Sequence, residues 1–93
     1  HEFVSRVRVT GAVRSPLSVA YRQGMTVLDL VLLAGGVNEF AAPGRARLYR
    51  RHSGEDGPMV LDVDLDGILT RGKLDTNYTL IPGDVVTVPE RLF

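Results

Sequence analysis

The stretch Gly24 to Gly36 constrains the fold more than any other part of the chain. It reads as one complete helix. Thr26 can cap the first turn with its hydroxyl, and Asp29, three residues on, can answer with its carboxylate, the reciprocal pattern of a capping box. Gly35 and Gly36 supply the positive φ that a helix C-terminus commonly adopts. The spacing therefore predicts one main helix over about Thr26–Ala34. Between the caps almost every residue is apolar. Leu28, Val31 and Leu32 can face a sheet, with Gly35 close behind, whereas Val27, Leu30, Leu33 and Ala34 then cover other directions. Two accounts of that surplus stay open. Either a curled sheet and its loops wrap the helix, or one flank packs on a neighbouring subunit or domain. On the second account Val27, Leu30 and Leu33 are the subunit-packing candidates.

Strands surround this helix. Phe3, Ser5, Val7 and Val9 alternate with Val4, Arg6, Arg8 and Thr10, a half-buried strand ending at Gly11. A second short strand is expected at about Leu17–Tyr21, after the turn signal Ser15-Pro16. Further on, Ala46 and Leu48 share one face, and Arg45, Arg47, Tyr49 and Arg51 the other. Beyond a turn-rich stretch, Met59, Leu61, Val63 and Leu65 alternate with Val60, Asp62 and Asp64. Pairing Leu48 with Leu61 and Ala46 with Val63 puts apolar on apolar. The same register sets Arg47 opposite Asp62 and Arg45 opposite Asp64, so both faces agree on one hairpin. A short helical turn is predicted near Asp66–Arg71, a strand around Tyr78–Leu80, a type II turn over Ile81-Pro82-Gly83-Asp84, and a last strand at Val85–Val88. Strands dominate, with one real helix to cover one sheet face. The fold class is α+β, a mixed curled sheet packed on one main helix.

Ninety-three residues suit one domain over 1–93. A chain of this length buries about 60 to 65% of its unfolded surface, enough for one modest core and poorly suited to a deep enzyme cleft. Eleven basic and eleven acidic residues cancel. A nucleic-acid binder normally shows a basic excess, so nucleic acid is not an expected partner. The sequence contains no cysteine. That excludes disulfides, thiolate metal sites and Cys nucleophiles. The longest apolar run, Val27 to Ala34, is interrupted by Asp29 and falls far below the roughly 20 residues of a membrane span. The chain opens directly into a strand at Phe3, as expected of a domain excised from a longer protein.

Chemistry-bearing constellations are few. Asp62, Asp64, Asp66 and Gly67 imitate the start of a calcium loop, but Lys73 stands where the closing glutamate belongs, and the preceding residues alternate like a strand. A strand with an acidic outer face running into a turn is the better account. The stripe Arg45, Arg47, Tyr49 and Arg51 suits an acidic sugar, a phosphate or another protein, because arginine forks match carboxylates. The competing account is a solvated face answered across the hairpin, with pairs worth at most about 1 kcal/mol each. Arg50, Arg51 and His52 lack an obvious partner, so Tyr49, Arg50, Arg51 and His52 are the saccharide- or partner-binding candidates. His52 has no ligand neighbours at metal spacing, the serines have no nucleophile elbow, and the remaining carboxylates sit at turns. No catalytic residue, metal site or cofactor is expected.

These motifs together resemble a family. Residues 9–14 (VTGAVR), Pro16, residues 21–29 (YRQGMTVLD) and 34–37 (AGGV) resemble the SLBB domain, a soluble-ligand-binding β-grasp module. Residues 63–65 (VDL), Arg71-Gly72 and 80–89 (LIPGDVVTVP) are similar to its later half. They look like the SLBB segment of outer-membrane polysaccharide export proteins. The resemblance implies a β-grasp fold and a non-catalytic structural and binding role in capsule or exopolysaccharide export. It implies a periplasmic, outer-membrane-associated protein that assembles as a homo-oligomeric ring. Polysaccharide and an inner-membrane chain-length regulator are the implied partners. The alternative is a standalone small-molecule receptor module of the same fold.

Overall fold

A computed structural model describes residues 5–51 and 59–92. Its strands are β1 (Arg6–Gly11), β2 (Leu17–Ala20), β3 (Ala46–Arg50), β4 (Met59–Val63) and β5 (Val85–Val88), and its α-helices are α1 (Val27–Leu33) and α2 (Leu65–Arg71). One mixed sheet runs in the order β2-β1-β5-β3-β4. The last strand lies parallel to the first and antiparallel to β3, so it joins two hairpins that do not otherwise pair among the described residues. This is an α+β architecture, with two α-helices among the described residues.

The β3–β4 register follows the two-face pattern: Leu48 lies opposite Leu61, Ala46 opposite Val63 and Arg47 opposite Asp62. One expected pair does not form. Strand β4 stops at Val63, so there is no cross-strand slot for Asp64. Asp64 instead caps α2, accepting the Gly67 N–H at 3.0 Å. Arg45 lies in a 3-10 turn (Pro43–Arg45) and donates to the Glu90 carbonyl at 3.5 Å. Asp66 and Arg71 pair along α2 at 3.4 Å. The three aspartates of the calcium-like stretch are thus a strand-face residue, a cap and a first-turn residue.

The capping box forms as the sequence predicts. The Asp29 N–H donates to the Thr26 hydroxyl at 3.3 Å, and the Thr26 N–H donates to the Asp29 carboxylate at 3.0 Å. Gly35 and Gly36 both take positive φ, 83° and 86°, and turn the chain away. The helix phase differs from expectation. Val27, Leu30, Val31 and Ala34 are fully buried, the i, i+3, i+4, i+7 stripe of a core helix. Leu28 is half-buried, and Leu32 and Leu33 are 60% and 56% exposed.

Residues 77–80 fix that phase. The Val27 N–H donates to the Tyr78 carbonyl at 3.0 Å, and the Leu28 N–H to the Asn77 side-chain oxygen at 2.9 Å. The Leu80 N–H donates to the Met25 carbonyl at 2.7 Å, and Leu80 itself is fully buried. The strand expected at Tyr78–Leu80 is therefore one isolated bridge, Thr26 to Thr79, spent on docking the helix start. Sheet, helices and this segment enclose one core that includes Val7, Val9, Leu48, Leu65, Val86 and Val88.

Candidate ligand-binding surface

Alternation along β3 sends its residues to two different fates. Ala46 and Leu48 are fully buried, and Arg50 follows them on the core side of the sheet. At that inner edge its guanidinium meets Asp84, whose side chain is fully buried. Arg50 Nε donates to Asp84 Oδ1 at 3.2 Å and Nη2 to Oδ2 at 2.9 Å, a bidentate fork. Nη2 also donates to the Thr79 carbonyl at 2.9 Å, and Asp84 Oδ2 accepts the Ile81 N–H at 2.9 Å. Gly83 precedes Asp84 with φ 92°, the turn that aims the aspartate inward. Arg50 is therefore no open binding residue. Its Nε and Nη2 are committed to a clasp that ties β3 to the turn before β5.

Arg47 and Tyr49 lie on the opposite, outer face. Arg47 is exposed and Tyr49 half-buried. Together with Arg45, Pro89, Glu90 and Leu92 they line an open groove of about 340 Å³. Arg51 is exposed just past the strand end, and His52 lies outside the described residues. Of the four binding candidates, Tyr49 lines the groove, Arg51 sits beside the strand that forms it, and Arg50 points elsewhere.

Register extends this outer face across the sheet. Ser18, Arg8, Val85, Tyr49 and Val60 form one lateral row, and Thr10, Thr87, Arg47 and Asp62 form the next. Arg6 shares the face and donates to the Ser18 hydroxyl at 2.8 Å. The Thr10 and Thr87 hydroxyls are 3.2 Å apart. Sequence reasoning found the β3 arginines but not their neighbours on β1, because nothing in the sequence shows that β5 lies between β1 and β3.

A second concavity lies at the start of α1. It is an open cleft of about 450 Å³, lined by Arg22, Gln23, Gly24, Met25, Asp29, Leu32 and Leu33. Of the three subunit-packing candidates only Leu33 is available here. Val27 and Leu30 are sealed in the core and cannot touch a neighbour, because the docked 77–80 segment rotates them inward. The apolar surplus is real, but Leu32 carries it alongside Leu33.

The SLBB domain family matches residues 6–62, well over half of the chain. The chain belongs to that family. No curated protein matches it. An SLBB domain is a binding module, and the match spans β1 to β4 with α1 between the two hairpins. It stops at Asp62, short of β5, although β5 is the strand that joins the hairpins of this SLBB domain into one sheet.

Proposed function

We propose that this SLBB domain is a non-catalytic β-grasp module of an outer-membrane polysaccharide export protein. It works in the periplasm, as one domain of a longer protein, by packing against copies of itself in a ring. An inner-membrane chain-length regulator is its partner in the export path, and polysaccharide passes its outer sheet face. The family match supports the export reading. The observation that carries assembly is the exposed pair Leu32 and Leu33, adjacent on one short helix whose other face is saturated by the core. With 60% and 56% of their surface still exposed, burying the remainder against a neighbour is worth about 1–2 kcal/mol each.

Size-exclusion chromatography with light scattering on the full-length protein tests the ring. The expected result is a closed oligomer that Leu32→Ser with Leu33→Ser shifts towards a folded monomer, with an unchanged far-UV circular dichroism spectrum and a lower, concentration-independent melting temperature. A strictly monomeric full-length protein would sink the reading.

A further inference from the structure

Formal neutrality conceals a charge separation. By strand register the outer sheet face carries Arg6, Arg8 and Arg47 against Asp62, and the groove at its edge adds Arg45 and Glu90, so four positive charges meet two negative. The carboxylates of Asp29 and Asp64 cap helix starts, Asp66 pairs with Arg71 along α2, and Asp84 is buried against Arg50. Arg8 joins no ion pair among the described residues. Arg47 reaches Asp62 only at 3.7 Å, with both side chains exposed, a contact too weak to hold the guanidinium against a better anion.

We propose that this face binds an acidic polysaccharide through its uronic-acid carboxylates. Arg8 and Arg47 supply forks that match a carboxylate. Arg8 and Tyr49 lie in one row with Val85 between them, about two strand spacings or ~9.5 Å apart. A sugar ring lying over Val85 meets the Tyr49 ring on one side and a guanidinium on the other. Thr10, Thr87 and Ser18 add hydroxyls for the sugar's own. The groove beside Arg47, bounded by Arg45, Pro89 and Glu90, continues the track past the end of β3. A nucleic acid fits less well, because Tyr49 is the one aromatic that the described strands present on this face, and single strands are held by successive aromatic stacks.

This inference rests on the export reading for its polymer class, but its test is separate from ring formation. Heteronuclear NMR titration of the 93-residue chain with a galacturonic acid hexamer is the measurement, with maltohexaose as the neutral control and a single-stranded oligonucleotide as the competing polyanion. The hexuronate is expected to shift amides of β1, β5 and β3 and the Arg8 and Arg47 side-chain N–H signals. Added salt weakens binding. Arg8→Gln with Arg47→Gln, both exposed, lowers affinity about tenfold or more with an unchanged amide spectrum elsewhere. Three outcomes overturn the inference: equal response to maltohexaose, an unaltered affinity in the double variant, or shifts centred on the α1 cleft. Tighter binding of the oligonucleotide at the same arginines overturns it as well and reassigns the face. A ring that forms while the hexuronate fails to bind leaves assembly standing without this site.

Discussion

Strand β3 carries two arginine–aspartate pairs on opposite faces of the sheet, and they do opposite work. Arg47 and Asp62 meet across a hairpin at 3.7 Å, 57% and 94% exposed. Arg50 and Asp84 meet at 2.9 Å, 20% and 0% exposed, and every contact is a hydrogen bond with fixed direction. In water the first pair exchanges hydration for a weak attraction and gains little. The second has surrendered most of its hydration, so each group depends on the other, the Thr79 carbonyl depends on Arg50 and the Ile81 N–H on Asp84. Burial, not residue type, decides which pair the fold can lose.

The largest expected effect follows from breaking the buried pair. Asp84→Ala strands the Arg50 fork and the Ile81 N–H, and is expected to cost about 3–5 kcal/mol, a large part of a small domain's stability. Urea unfolding followed by circular dichroism reads it directly. A loss below about 1 kcal/mol would make the clasp as dispensable as its exposed counterpart. Thr26→Ala supplies a ruler between the two. It removes the acceptor for the Asp29 N–H at the start of α1 and is expected to cost about 1 kcal/mol in the same assay. The smallest effect belongs to the exposed pair: Asp62→Ala should change stability by at most about 0.5 kcal/mol, and added salt should erase the difference. If Asp62→Ala instead matched Asp84→Ala, the contrast between the two faces would collapse.

The two pairs also mark where the sequence is readable. Arg47–Asp62 is legible because both faces of one hairpin agree on a register, and hairpin neighbours are near in sequence. Arg50–Asp84 is not, because it spans 34 residues and exists only once β5 is placed beside β3. Helix boundaries are legible from Thr26, Asp29 and the two glycines, whose geometry is local. Helix phase is not. With Val27, Leu28, Leu30, Val31, Leu32 and Leu33 all apolar, every rotation buries something greasy, and the choice falls to the 77–80 segment that docks on the helix start. The arginine stripe of β3 was visible as a candidate surface. Its extension through Arg8 was not, since overall neutrality averages over faces that the topology separates.

Strand β5 has a consequence in time. It is the last strand in the sequence and the third in the sheet, with β1 and β3 as its neighbours. A growing chain can form the β1–β2 hairpin early and the β3–β4 hairpin later, yet each holds an open edge until residues 85–88 arrive. Isolated two-stranded hairpins are marginal in water. Pairing Arg8 with Val85 closes a loop of most of the chain length, the kind of distant contact that slows folding. The complete sheet therefore cannot form until the C-terminal strand is available. Until then two unsatisfied strand edges of the same molecule wait for the same partner.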